Sequence, residues 1–92
     1  MPNAPTHVAF VIVSPDSIAI TLPILDPKSL REALTAAASA HPWAAQTGLL
    51  ADTEGGLSAN VAFPDGEEIE KAKELAMDSL RANGYEVSEV YL

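Results

Sequence analysis

The sequence predicts a two-layer α+β sandwich in the order ββα-ββα-β, with a mostly antiparallel sheet and two helices on one face. Short stretches alternate apolar and polar residues, which is typical of strands, and two longer stretches repeat apolar residues at helical spacing. The two halves also align at a constant offset, which pairs Asp26 with Asp65. Two similar ββα units that share one sheet would produce all of these patterns.

The first two strands are predicted on either side of a turn at residues 14–17. Residues 7–13 are apolar on both alternating faces, which favours a central strand that is covered on both sides or lies at a dimer contact. Four apolar residues then alternate on one face: Ile18, Ile20, Leu22 and Ile24. Pro23 cannot donate a hydrogen bond to a neighbouring strand, so we expect the second half of this strand at an edge or a bulge.

The first helix is predicted to begin after Asp26, its N-cap, with Pro27 at the first helical position. Pro42 ends it, because a proline moves the preceding residue away from helical geometry. We expect His41 in the last turn, where the helix dipole favours it, and Trp43 folded back over the apolar stripe. The alternative is an exposed Trp43 that acts as a binding hot spot with His41 at its rim.

The second half of the chain is predicted to repeat the ββα order of the first half. A hairpin is predicted with its turn at residues 54–56, followed by a helix that Asp65 caps together with Glu68, and that Gly84 ends. The last strand, over residues 85–92, is expected at a sheet edge that pairs with a twin chain or a partner. Residues 1–6 are expected to be a disordered tail, and residues 7–92 a single domain.

Charge is the most informative property for function. Thirteen acidic and five basic residues give a net charge of −8, of which ten acidic and three basic residues lie in positions 52–92. This charge opposes direct binding to nucleic acid or to anionic membranes and favours a basic protein partner. The eight carboxylates predicted to bind it are Asp52, Glu54, Glu67, Glu70, Glu74, Asp78, Glu86 and Glu89.

Part of this charge is expected to be offset locally, by Glu67 with Lys71 and by Glu70 with Lys73 at helical spacing. The simpler interpretation of the acidic residues is a solvated helix face that keeps the protein soluble. The functional interpretation is a face that docks on a basic groove, such as the nucleic-acid-binding channel of another protein.

No motif points to catalysis, and no catalytic residue, metal site or cofactor is predicted. The chain has no G-x-S-x-G, no H-E-x-x-H and no glycine-rich phosphate loop, and its two histidines have no ligand at helical spacing. It also has no cysteine, which excludes disulfides and thiolate sites and is consistent with a cytoplasmic location. No secretory signal is expected, because residues 1–6 contain no basic residue and no apolar run. No membrane span is expected either, because the apolar run at residues 8–13 is too short.

The segment DTEGGLSANVAFPD and the helix after it are similar in layout to small antitoxins of the HicB type. In that layout, a hairpin with a Gly-Gly turn leads through a proline to an alanine-rich helix. The family's extra glycine-containing turn and its basic DNA-binding tail are missing here, so the likeness does not assign the chain to it. Size and acidity are also similar to those of phage-encoded inhibitors of host defence, which is an analogy and not a shared motif.

The sequence therefore predicts a non-catalytic, acidic protein-interaction module that acts as an inhibitor, an immunity-type protein or an adaptor. The alternative is a small ligand-binding or enzymatic subunit, with a pocket between sheet and helices and with Asp26, His41 and Trp43 at its mouth. A homodimer, formed through strand edges or through the alanine-rich helix, is compatible with both.

Overall fold

The structure is a computed structural model that describes residues 7–51 and 55–92. In chain order its elements are β1 (His7–Val13), β2 (Ser17–Leu22), α1 (Pro27–Ala38), β3 (Ala45–Gln46), β4 (Leu50–Ala51), β5 (Leu57–Ala62), a 3-10 turn (Pro64–Gly66), α2 (Ile69–Ala82) and β6 (Tyr85–Tyr91). The predicted α+β class is confirmed, and the first strand of the second hairpin consists of two short pieces. The tail expected at residues 1–6 lies outside the described residues, as do residues 52–54 of the hairpin turn.

The strands form one mixed sheet in the order β3-β5-β2-β1-β6, with β4 also paired to β5. The described pairs are antiparallel except β1 with β6, which run parallel in register over all seven residues. Both helices pack on the same face and against each other. Each helix connects parallel strands, α1 from β2 to the β3–β4 edge and α2 from β5 to β6.

The core lies between this sheet face and the two helices. Alternate strand residues point into it, and the largest fully buried side chains include Ile18, Ile20, Leu22, Leu30 and Leu80. Each such side chain contributes about 1.5–3 kcal/mol when it leaves water. The buried helix faces also carry alanines, which let α1 and α2 approach each other closely.

Asp26 caps α1, as the sequence predicts. Its Oδ1 accepts a hydrogen bond from the Ser29 backbone N–H at 3.2 Å, and its Oδ2 accepts one from the buried Tyr85 hydroxyl at 2.8 Å. Hydrogen bonding by Ser29, with a smaller contribution from Tyr85, holds the pKa of Asp26 below its ordinary value. Burial, helped by the Asp26 carboxylate, raises the pKa of Tyr85 to about 12. The start of β6 is thereby fixed to the start of α1.

The prediction that Pro23 places part of the second strand at a sheet edge is wrong. β2 ends at Leu22, directly before the proline, and pairs with β1 on one side and β5 on the other. Because Pro23 lies beyond the last pair, its missing N–H costs the sheet no hydrogen bond.

The predicted start of the second helix is also wrong. Asp65 and Glu68 adopt left-handed backbone angles, with φ of 53° and 63°, and α2 begins only at Ile69 without a side-chain cap. The reason is a contact that is distant in sequence. Gly66 lies directly on the Pro15 carbonyl, and the Phe63 N–H donates a hydrogen bond to the Asp16 carbonyl at 2.8 Å. This contact keeps the turn before α2 out of helical geometry.

No helix among the described residues is long and apolar enough to cross a membrane.

Gly66→Ala tests the contact with Pro15. A Cβ atom at this position would lie 2.3 Å from the Pro15 carbonyl oxygen, on a backbone with φ of +72°. We expect the free energy of unfolding to fall by about 3 kcal/mol, because the steric conflict adds to the cost of positive φ. The matched control is Gly84→Ala, which has φ of +87° but no atom within 4 Å of the added Cβ. Urea denaturation should give the control a loss of about 1 kcal/mol, and equal losses in both variants would contradict the proposed conflict.

Tyr85→Phe tests the hydrogen bond to Asp26. We expect it to lower the free energy of unfolding by about 1 kcal/mol at neutral pH. The pKa of Tyr85 is raised from 10.0 to about 12 in the folded state. The contribution of its hydroxyl is therefore complete below pH 10 and is lost as the pH rises towards 12. Urea denaturation across this range should show the difference between wild type and variant shrinking, and a constant difference would rule out the proposed coupling.

Candidate functional site

Trp43 projects into solvent with 78% of its surface exposed. The prediction that it folds back over the apolar stripe of α1 is therefore wrong. Ala40 belongs to the buried core instead, and Ala44 packs against it. The Trp43 backbone N–H is also held by His41 Nδ1 at 3.0 Å, which fixes the direction in which the chain leaves the helix.

His41 connects the end of α1 to the turn before α2. The prediction that it lies in the last turn of α1 is wrong, because the helix ends at Ala38 with Ser39 as its C-cap. Its side chain is 10% exposed, and Nε2 lies 2.9 Å from Glu67 Oε2. Because Nδ1 accepts the Trp43 N–H, the bonding pattern assigns the proton of the neutral ring to Nε2, which donates it to Glu67. Glu67 precedes the first residue of α2, so the helical pairing expected with Lys71 does not apply to it. His41 thus makes a structural contact while Trp43 beside it stays exposed.

Lys73 is a buried cation at the junction of α2 and β6. Its Nζ donates to Tyr91 Oη at 2.8 Å, Glu70 Oε1 at 3.2 Å and Glu89 Oε2 at 3.3 Å. The Tyr91 hydrogen bond raises the pKa of Lys73, more than burial lowers it, and hydrogen bonds to the two carboxylates add to the effect. The expected Glu70–Lys73 pair is confirmed. Sequence spacing gives no indication that β6 supplies two more partners.

The structure separates the eight predicted partner-binding carboxylates. Glu70, Glu74, Asp78 and Glu89 lie together around Lys73 and along the outer side of α2. Glu67 is engaged by His41. Glu86 is paired in register with Val8, on the sheet face away from the helices. Asp52 and Glu54 lie outside the described residues.

Contact between the Pro15 and Gly66 turns brings together carboxylates that the sequence does not group. Asp16, Asp65 and Glu68 are all exposed at this end of the sheet, beside the start of α2. Among the described residues, none of these three forms an ion pair with Lys or Arg. We call Asp16, Asp65 and Glu68 the turn cluster, and Glu74 and Asp78 the helix stripe. Sequence reasoning did not identify Asp16 and Glu68, because their proximity depends on a contact between distant turns.

The pocket of the alternative prediction does not form with its proposed mouth. Asp26 lies at the start of α1 and His41 and Trp43 lie beyond its end, so twelve helical residues, about 18 Å, separate them. Two clefts, of about 450 and 350 Å³, lie beside α1 and share Arg31 and Thr35 in their walls. Neither is lined by Asp26, His41 or Trp43.

In the part of the chain that the structure describes, no three histidine or carboxylate side chains are grouped so that they could hold a metal ion. The chain matches no model of a known protein family, no curated protein and no solved structure.

Fluorescence tests the exposure of Trp43, because it is the only tryptophan in the chain. We expect an emission maximum close to that of the unfolded chain and unhindered quenching by neutral acrylamide. Trp43→Ala should change the free energy of unfolding by less than about 0.5 kcal/mol, since an exposed side chain contributes little packing. A blue-shifted emission that resists quenching would contradict the exposed position.

Proposed function

We propose that the protein is a non-catalytic acidic interaction module that acts in the cytoplasm by docking on a basic surface of a partner protein. Within this class it would serve as an inhibitor, an immunity-type protein or an adaptor. The docking surface consists of the turn cluster and the helix stripe, with Trp43 as an apolar contact at its border. A nucleic-acid-binding groove is one such basic surface, because acidic side chains would pair there with the cations that otherwise contact phosphates.

The observation that carries the proposal is that the carboxylates of the turn cluster and the helix stripe outnumber the Lys and Arg side chains that pair with them. Lys73 is buried, donates to Glu70, Glu89 and Tyr91, and also lies 3.7 Å from Glu74 Oε2, so this single cation is shared by three carboxylates and does not balance their charge. In the helix stripe, Arg81 lies 3.7 Å from Asp78, with both side chains more than half exposed. The turn cluster has no Lys or Arg partner in the described part of the chain. A solvated surface of one sign steers an oppositely charged partner and sets its orientation.

Placement of the surface also supports the proposal. Asp65 and Glu68 have left-handed backbones that the Pro15–Gly66 contact holds in place, so the turn cluster is presented by a fixed turn. A pre-ordered surface loses less conformational entropy on binding than a mobile one. The helix stripe continues from this turn along a rigid helix, which extends the surface for a partner groove.

Charge-neutralising variants test the proposal. We would compare proteins retained from nuclease-treated host lysate by the immobilised wild type, by Asp16→Asn/Glu68→Gln and by Glu74→Gln/Asp78→Asn. The partner should be basic, should be retained at low salt and should be released at high salt because the contact is screened. Each double variant should weaken binding by about tenfold, which corresponds to roughly 1.4 kcal/mol.

The matched control is Glu32→Gln/Glu86→Gln, which removes the same number of charges from outside the proposed surface. It should weaken binding less than threefold, or roughly 0.6 kcal/mol. Equal losses in all three double variants would mean that net charge alone drives retention. A complex that is insensitive to salt and to the variants would exclude acidic docking.

A further inference from the structure

The face of the sheet away from the helices is uncovered in the described residues, and it is almost free of charge. The four long strands β1, β2, β5 and β6 direct twelve side chains to this face, three from each strand. Glu86 is the single charged residue among them, whereas one residue in five is charged in the chain as a whole. The acidic character of the protein therefore lies elsewhere on its surface.

One side of this face, along β1 and the edge strand β6, is apolar where a solvated sheet face would be polar. β1 exposes Val8 and Phe10, at 36% and 41%, and β6 beside it exposes Val90 at 37%. Ile12 is paired in register with Val90 and extends the same patch. An antiparallel sheet with one solvated face normally alternates apolar residues inside with polar residues outside. β1 breaks this rule over its whole length, which indicates a face that is covered in the functional state.

We propose that a second copy of this chain covers the open face, so that two sheets stack face to face in a symmetric homodimer. Two copies of a protein with a net charge of −8 repel each other over most of their surfaces. When two copies meet through their open sheet faces, the long strands of each copy bring only one carboxylate to the contact. This is Glu86, which lies on the outermost strand β6. The proposal is independent of the proposed function, whose surface lies on α2 and the adjoining turns.

The distribution of side-chain sizes also fits a second copy. Large residues such as Phe10 and Ile12 occupy the β1 side, while the β5 side presents Ser58, Asn60 and Ala62. A two-fold axis parallel to the strands, running over the central strand β2, puts β1 of each copy opposite β5 of the other. Large side chains then pack on small ones in both halves, as in the interdigitated core of a β-sandwich.

The area is sufficient for such a dimer. The four long strands, together with β3 and β4, which both pair along β5, make five strand positions about 4.8 Å apart and about six residues long. The face therefore covers roughly 24 by 20 Å, or about 500 Å² per copy in projection. Two faces therefore bury about 1,000 Å², which is the size at which specific interfaces begin. We expect a dimer of moderate affinity that depends on protein concentration.

Sedimentation equilibrium on the full chain, from about 10 μM to about 1 mM, tests the proposal. We expect a reversible dimer that higher salt strengthens, because salt screens the repulsion between acidic copies. Phe10→Asp and Phe10→Lys should both weaken it by roughly a hundredfold, since either charge would be buried without a partner. The matched control Leu25→Asp, at an apolar side chain 61% exposed outside the sheet, should leave the dimer unchanged. Circular dichroism confirms that each variant is folded.

Asn60→Arg is a second variant, on an exposed side chain of β5 that the proposed axis sets against β1. It should disrupt the dimer as strongly as the Phe10 variants and be folded even if those are not. A chain that is monomeric at every concentration, or a dimer that survives Asn60→Arg, would overturn the proposal. A third outcome is that the full chain is monomeric but a chain shortened to residues 7–92 dimerises. In that case residues 1–6, and not a second copy, would cover the face, and the proposal would also be wrong. The opposite response to salt separates this association from docking on a basic partner.

Discussion

The handedness of the two connections between parallel strands determines the rest of the architecture. Such connections are right-handed in nearly all proteins. The two connections begin on antiparallel neighbours, β2 and β5. The connection from β2 runs across the sheet towards β3, and the connection from β5 runs the opposite way towards β6. With both connections right-handed, both helices must lie on the same face. One face therefore receives the whole hydrophobic core, and the other receives no cover from the described part of the chain.

Polar contacts at the periphery fix the helices on that core. Tyr85 holds Asp26 at the start of α1, and His41 holds Glu67 beyond its end. Lys73 fixes the first half of α2 to the end of β6. Each contact joins elements that are distant in sequence, so each helps to specify how the layers are placed. No buried side-chain nitrogen or oxygen in the described residues lacks a hydrogen-bond partner, which is the condition under which buried polar groups are tolerated.

Local sequence signals predicted the elements well because their causes are local. Alternation located the strands around Ile18 and Val61, and Asp26 with Pro27 located the start of α1. Errors arose where a contact between distant segments overrides a local signal. Asp65 has the spacing of a cap, but Gly66 on the Pro15 carbonyl prevents the helical turn that it would cap. For the same reason the sequence could not group Asp16 with Glu68.

Two other features differ in how far the sequence could have indicated them. Lys73 falls on the apolar stripe of α2, between Ala72 and Ala76, and that position alone indicates a buried cation that needs partners. The position of Trp43 in the sequence does not indicate whether its side chain is buried. Its exposure depends on tertiary packing, in which Ala40 is part of the core and Ala44 packs against it. A large aromatic residue after a helix is compatible with either outcome.

The parallel pairing of β1 with β6 also sets the order of events during synthesis on the ribosome. β1 ends at Val13 and β6 begins at Tyr85, so the chain must grow by 72 residues (85 − 13) before β1 gains its second neighbour. At roughly 5–20 residues per second, this interval lasts about 4–14 s. During it, the most apolar strand of the sheet has one unpaired edge, to which other nascent chains can bind. The vulnerable period of this protein is therefore its translation, and slow codons between the two strands would prolong it.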